Sequence, residues 1–253
     1  MKVIPKKRLG QHFLVDENIL GVIARLAALS PEDVVLEVGP GLGVLTRFLA
    51  ERVVHVHAVE VDRSLEAQLE GIPHTELHWG DALKLDLATL IPPPGKLVSN
   101  LPYNIATPIV VESLDRLPSV QSWCMMVQRE VAERFFASPG TKAYGAVSVL
   151  LQLVTERTGF HAVSREVFRP RPNVDSALVA FRRTAPRIPP AVKRLVEAAF
   201  AHRRKTLANS LALAGAAQRE EAAAALASIG RDPAARAESL TPEDFVALAA
   251  ALR

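Results

Sequence analysis

The chain has 253 residues, 49% of them hydrophobic, and a mildly basic balance, with formal net charge +3 and pI near 9.2. That length allows one large domain, or a medium one with a small companion, around an ample core. The single cysteine, Cys124, excludes an intramolecular disulfide and a cysteine-based zinc site, and no apolar run is long enough to span a bilayer.

In chain order, the first segment is basic: Lys2, Lys6, Lys7 and Arg8 come without an acid. It runs into the polar Gly10-Gln11-His12 without the apolar stretch of a signal peptide, so a cytoplasmic protein is expected. The acidic turn Asp16-Glu17-Asn18 opens an amphipathic helix over residues 19–26. Strands are expected at 34–38, 55–61, 76–79, 96–99 and 123–128, with a helix at 44–51 after the first. Two further strands, at 150–157 and 177–183, flank a proline-rich loop and could pair antiparallel at one edge. Strands alternating with helices predict an α/β doubly wound sheet of parallel βαβ units. Prolines between Thr184 and Pro190 mark a linker, and helices are expected at 191–202, 206–214, 219–229 and 242–252. The expected organisation is an α/β domain over residues 1–185 and a small all-helical domain over 186–253.

The chemistry gathers at expected strand ends. Glu37-Val38-Gly39-Pro40-Gly41-Leu42-Gly43 follows a strand and opens a helix, and Gly39 and Gly41 let backbone amides turn sharply toward a ligand. The third glycine comes one residue earlier than in the dinucleotide fingerprint, and no Lys-Ser/Thr pair of a P-loop follows. A nucleoside-bearing cofactor fits this turn. Glu60, about 20 residues on, ends the second strand, where an acid accepts from ribose hydroxyls; Asp62 is a competitor in poorer register. Asp81, after Gly80 at the third strand end, can accept from an adenine amine. The fourth strand ends in Asn100-Leu101-Pro102-Tyr103. An amide oxygen, a rigid proline turn and an aromatic ring together suit methyl transfer to a planar exocyclic amine. His55 and His57 alternate on a strand and face one side, but no third ligand is evident, so no metal is expected.

In this order the motifs resemble S-adenosylmethionine-dependent amino-methyltransferases. Leu9-Gly10-Gln11-His12-Phe13-Leu14 resembles the Gly-Gln-Asn/His-Phe-Leu segment of the small-subunit ribosomal RNA adenine-N6,N6-dimethyltransferase family. The segment from Val167 through Asn173-Val174-Asp175-Ser176 resembles that family's Phe-x-Pro-x-Pro-x-Val-x-Ser loop. The segment from Phe200 to Leu211 resembles its Arg-Arg-Lys-Thr-Leu-x-Asn-Ser-Leu helix. The matches run from residue 9 to residue 211.

The resemblance implies a Rossmann-like methyltransferase sheet with a helical C-terminal domain, and S-adenosyl-L-methionine held by His12, Leu14, Gly39, Gly41, Glu60, Asp81 and Asn100. It implies dimethylation of two adjacent adenosines in the 3′-terminal hairpin loop of 16S ribosomal RNA, with the immature 30S subunit as partner. Asn100 and a carbonyl near Leu101 would accept from the amine, with Pro102 holding that carbonyl. Tyr103 would stack on the base and Phe168 would cover its opposite face. The base must be flipped or already unpaired to enter. Lys6, Lys7, Arg8, Arg165, Arg169, Arg171, Arg203, Arg204 and Lys205 are the expected RNA contacts, mostly through phosphates. A monomer without a membrane partner is expected. A large-subunit ribosomal RNA adenine methyltransferase of the antibiotic-resistance type shares the fold and the motifs, and the Arg-Arg-Lys-Thr-Leu segment favours the small subunit. A non-catalytic RNA-binding factor would not need Gly39, Glu60, Asp81 and Asn100 together.

Overall fold

The computed structural model describes Lys6 and residues 11–252; the expected RNA contacts Lys7 and Arg8 lie outside the described residues. These residues form two compact units. The first holds the described residues through Ala132 together with Glu156–Arg183, and the second holds Glu133–Thr155 and residues 184–252.

The elements of the first unit begin with β1 (Phe13–Leu14), α1 (Glu17–Leu26), β2 (Val34–Val38), α2 (Val44–Ala50) and β3 (His55–Glu60). Then come α3 (Glu66–Leu69), β4 (Thr75–Trp79), β5 (Lys96–Asn100), α4 (Ala106–Arg116) and β6 (Ser122–Gln128). The helix α5 (Arg129–Phe135) carries the chain into the second unit, where α6 (Ala146–Val154) lies. β7 (Thr155–Val163), β8 (Phe168–Arg169) and β9 (Ser176–Arg183) return to the first.

The main sheet has the order β4-β3-β2-β5-β6-β9-β7, and β1 pairs with β8 as a separate antiparallel ribbon. β4, β3, β2, β5 and β6 run parallel, while β9 is antiparallel to β6. From β2 the strand order proceeds one way through β3 and β4 and the other way through β5 and β6. Such a reversal opens a crevice at the strand C-termini, where open α/β sheets bind ligands. The central strands are apolar on both faces, with Val35, Leu36, Leu97 and Val98 fully buried, as parallel sheets under helices require. Asp16 caps α1 by accepting from the Asn18 N–H at 2.8 Å, and Ile19, Leu20 and Ile23 turn into the core with Leu45 and Leu49 of α2.

The helix α4 carries a proline, Pro108, in its first turn, where no intrahelical donor is needed. At its C-terminus Arg183 donates to the carbonyls of Leu114 (3.1 Å), Leu117 (3.3 Å) and Val120 (2.9 Å) and lies over the Trp123 ring. The buried Trp123 indole donates to Ser113 Oγ at 2.9 Å.

Residues 150–157 differ from the expected strand. The helix α6 runs through Val154, and β7 starts only at Thr155. A short apolar run such as Leu150-Leu151 fits a buried strand and a buried helix equally, so periodicity could not separate them. The division into units also differs from a single boundary at 185. The last of three crossings lies at 183/184, but Glu133–Thr155 packs with the C-terminal helices, because contact in space need not follow chain order.

In the second unit, α6 packs with α7 (Pro190–Ala201), and α8 (Leu207–Leu213), α9 (Arg219–Ser228) and α10 (Pro242–Ala251) complete the bundle. Tyr144, Leu211, Phe245 and Leu248 are fully buried there, and the Tyr144 hydroxyl donates to the Leu240 carbonyl at 2.9 Å. Thr206 and Thr241 cap α8 and α10.

Arg183→Met removes charged donors from three carbonyls and is expected to lower the unfolding free energy by about 2 kcal/mol in urea titrations. Arg182→Met breaks an exposed pair with Glu156 and should cost less than about 1 kcal/mol.

Candidate active site

A cavity of about 220 Å³ opens at the C-terminal ends of the central strands. His12, Leu14, Gly39, Gly41, Glu60, Asp81, Asn100, Leu101, Pro102 and Tyr103 all line it. They come from four strand ends (β2, β3, β4 and β5) and from the β1 segment, so the fold, not sequence proximity, assembles them.

The turn after β2 takes three left-handed glycines, with φ of 77° at Gly39, 59° at Gly41 and 74° at Gly43. A side chain is unfavourable in this backbone region. A Cβ at Gly39 would also lie 3.1 Å from the Pro102 ring, and one at Gly41 3.0 Å from the Phe13 ring. The glycine turn, the Pro102 turn and the β1 segment thus approach one another closely.

Glu60 is buried at the end of β3. One carboxylate oxygen accepts from the N–H of Val61 (2.9 Å) and Asp62 (2.8 Å), and the other from Gly41 N–H (3.2 Å). Burial raises its pKa, and these three backbone bonds pull against that rise. Asp62, the sequence competitor, has a different task. It accepts from Lys6 Nζ at 2.5 Å, Gln11 Nε2 at 3.0 Å and the Ser64 hydroxyl at 2.6 Å. Burial pushes Asp62 upward, but the bonds from Lys6, Ser64 and Gln11 outweigh it and hold the carboxyl well below the usual range. Lys6, expected on RNA, has its ammonium on Asp62 and Ser64. Asp81 accepts from Leu83 N–H at 3.0 Å with one oxygen, and Lys84 lies 3.7 Å from the other.

Glu37 lies in the floor of the cavity, and sequence reasoning gave it no role beyond the turn. Burial, with the like charge of Glu60 adding to it, pushes its pKa up to about 8. Its Oε2 has no hydrogen-bond partner among the described residues. A lone acid inside an apolar strand was the available signal.

At β5, Asn100 Nδ2 donates to the His12 carbonyl at 3.2 Å, which leaves Oδ1 as the acceptor of that amide. Leu101 is buried, and its N–H is held by the Met126 carbonyl at 3.1 Å. The Pro102 carbonyl is taken by Ile105 N–H at 3.1 Å. The Tyr103 hydroxyl meets Ser176 Oγ at 2.6 Å, so the last residue of the proline-rich loop fixes the ring. His12 stacks on Tyr103 with centroids 5.5 Å apart, and its Nδ1–H donates to the Pro170 carbonyl at 2.8 Å.

Phe168 differs from its expected place. It is fully buried in the hydrophobic core, paired through β8 with Leu14, and does not line the cavity. An aromatic ring that fills a core cannot also cover a base. The basic residues separate as well. Arg169 donates to the Glu166 and Phe168 carbonyls, Arg171 pairs with Glu166 at 2.8 Å, and Arg165 pairs with Asp175 at 3.2 Å. In the second unit, Arg203, Arg204 and Lys205 are exposed in the turn between α7 and α8, ahead of the helix that the Thr-Leu-x-Asn-Ser-Leu part forms. Arg203 donates to the Tyr144 carbonyl at 2.9 Å and lies 3.5 Å from Glu238.

A family profile described as ribosomal RNA adenine dimethylase matches residues 4–253. The chain belongs to that family. It is an S-adenosylmethionine-dependent ribosomal RNA adenine dimethyltransferase. A Rubrobacter xylanophilus protein named ribosomal RNA small subunit methyltransferase A is 50% identical, over 96% of this chain and 94% of its own. A dimethyladenosine transferase from Plasmodium falciparum has the same fold, with TM-score 0.77 at 24% identity over 94% of this chain and 96% of that one. The 23S rRNA methyltransferase ErmE is 30% identical, with TM-score 0.68 over 95% and 99%.

The cavity fits the family's cofactor. Its glycines leave backbone where a Cβ would collide, Glu60 and Asp81 offer acceptors at two strand ends, and Glu37 Oε2 has an unused one. Gly41→Ala is expected to weaken S-adenosylmethionine binding at least tenfold by calorimetry, from a backbone penalty of about 1–2 kcal/mol and the contact with Phe13. A second outcome concerns pH. Folded Glu37 keeps its proton up to about pH 8, whereas an ordinary carboxyl loses it near 4.5. Stability from this group therefore falls as pH rises between those values. Melting curves should show the advantage of Glu37→Gln over wild type growing across that window and levelling above it.

Proposed function

We propose that this enzyme dimethylates N6 of two adjacent adenosines in the 3′-terminal hairpin loop of 16S ribosomal RNA, in the cytoplasm, as a monomer acting on an immature 30S subunit. The name of the relative at 50% identity supports the small subunit as substrate. The observation that carries the chemistry is the Asn100 amide, whose donor end is occupied by the His12 carbonyl.

The exocyclic nitrogen of adenine is a poor nucleophile because its lone pair is delocalised into the ring. Hydrogen bonds from the amine to Asn100 Oδ1 and to the Leu101 carbonyl favour a tetrahedral nitrogen with a localised lone pair. Pro102 holds the backbone that presents this carbonyl. When bound, S-adenosylmethionine supplies an electrophilic methyl group. Glu60 and Asp81 hold its ribose and adenine, and the glycine turn admits it. The methylated nitrogen is strongly acidic and releases its proton to water, so the residues chiefly position and desolvate. Tyr103, backed by His12 and tied to Ser176, supports one face of the base. The α/β unit serves as the methyltransferase domain. The helical unit, with its exposed Arg203-Arg204-Lys205 turn, contacts RNA through phosphates, joined by Arg169 and Arg171.

The test is methyl transfer from labelled cofactor to small subunits that lack the modification, with products mapped by mass spectrometry. Wild type should yield two dimethyladenosines in the 3′-terminal hairpin. Asn100→Ala should lower kcat on the order of 100-fold, with a much smaller change in cofactor affinity. Incorporation into large-subunit RNA alone would replace this reading with the activity in the name of ErmE.

A further inference from the structure

A second polar cluster lies on β3 and β4, built from residues that methyl transfer does not use. His55 and His57 alternate on β3, and Glu76 and His78 alternate on β4. The parallel register sets His57 opposite Glu76 and Val59 opposite His78, so strand alternation brings all four side chains to one face. His55, His57 and Glu76 each offer one ligand atom, and these atoms all lie within 4.8 Å of one another.

The hydrogen bonds decide which imidazole atoms are bare. His57 Nε2 lies 2.8 Å from the Pro92 carbonyl. A carbonyl only accepts, so Nε2 carries the proton and Nδ1 of the neutral ring presents a lone pair to the cluster. That lone pair faces Glu76 Oε2 at 3.5 Å. His55 Nε2, buried and without a hydrogen-bond partner among the described residues, lies 3.7 Å from the same oxygen. His78 Nε2 lies 3.1 Å from His57 Nδ1 and 3.8 Å from Glu76 Oε1. With His57 Nδ1 bare, His78 Nε2–H donates to it, while the buried His55 Nε2 beside Glu76 Oε2 is left without a hydrogen-bond partner among the described residues.

The geometry points to a zinc-type divalent-metal site held by His55 Nε2, His57 Nδ1 and the Glu76 carboxylate. Zn–N and Zn–O bonds of roughly 2.0–2.2 Å set tetrahedral ligand separations of about 3.3–3.5 Å, and Glu76 Oε2 lies 3.5 Å from His57 Nδ1 and 3.7 Å from His55 Nε2. Imidazole with one carboxylate is a donor set for zinc rather than for magnesium or calcium. The Pro92 carbonyl supplies the outer hydrogen bond that orients a ligating histidine. The ion would clip β4 to β3, three residues upstream of both Glu60 and Asp81.

The whole chain, prepared without an affinity tag and stripped with chelator, would be titrated with Co²⁺ and followed by visible absorption. One equivalent per chain should give the strong ligand-field bands of a tetrahedral site, and Zn²⁺ should bleach them. His55→Ala and Glu76→Gln should each weaken Co²⁺ binding at least tenfold while leaving S-adenosylmethionine binding by calorimetry unchanged. His57 is fully buried and its replacement could unfold the chain, so the test rests on the more exposed His55 and Glu76. Absence of tetrahedral bands, or bands that persist undiminished in both variants, would overturn the site.

Discussion

The N–H of Gly41 reaches the buried carboxylate of Glu60, and that bond joins the turn after β2 to the end of β3. The same carboxylate gathers the amides of Val61 and Asp62, and the Glu60 carbonyl accepts from Gly80 N–H at the end of β4. One residue thus ties three adjacent strand ends together. A buried carboxylate is tolerable only with such donors, and a left-handed glycine turn keeps its shape only if its exposed amide is satisfied. Each requirement answers the other, and the cavity lies where they meet.

The opposite wall depends on this arrangement. Gly39 lies against Pro102 closely enough that a methyl group would intrude, so the glycine turn and the Asn100–Tyr103 turn are set at van der Waals distance. His12 links them to the segment above. Its carbonyl orients Asn100, its imidazole is held by Pro170, and its ring supports Tyr103. Asp62 anchors that segment through Gln11 and Lys6. The carboxylates of Glu60 and Asp62 are therefore occupied, the first with backbone amides and the second with an ammonium, an amide and a hydroxyl. This suits a reaction governed by orientation rather than by a general base.

Strand alternation lets β3 and β4 serve two purposes. Glu60 and His57 are three residues apart on one strand and so face opposite sides of the sheet. The strand ends turn acids toward the cavity, while the strand bodies bring histidines and Glu76 together on the other face. Neither strand carries the whole histidine cluster, and only their parallel pairing completes it.

The glycine turn, the acids at strand ends and Asn100-Leu101-Pro102-Tyr103 were legible in the sequence because each is a local requirement. Left-handed backbone demands glycine, and a polar residue closing an apolar strand marks a site. The parallel strands and the C-terminal helices were legible for the same reason, through periodicity. The end of α6, the core burial of Phe168, the transfer of Glu133–Thr155 to the helical unit and the meeting of Glu76 with His55 and His57 were not. These depend on which surfaces meet after residues tens of positions apart have packed. By itself, the sequence determined the local conformations and the chemical inventory of this protein. Only the tertiary structure decided which of those groups face the cavity, which fill the core and which face one another, because burial and strand register belong to the packed chain as a whole.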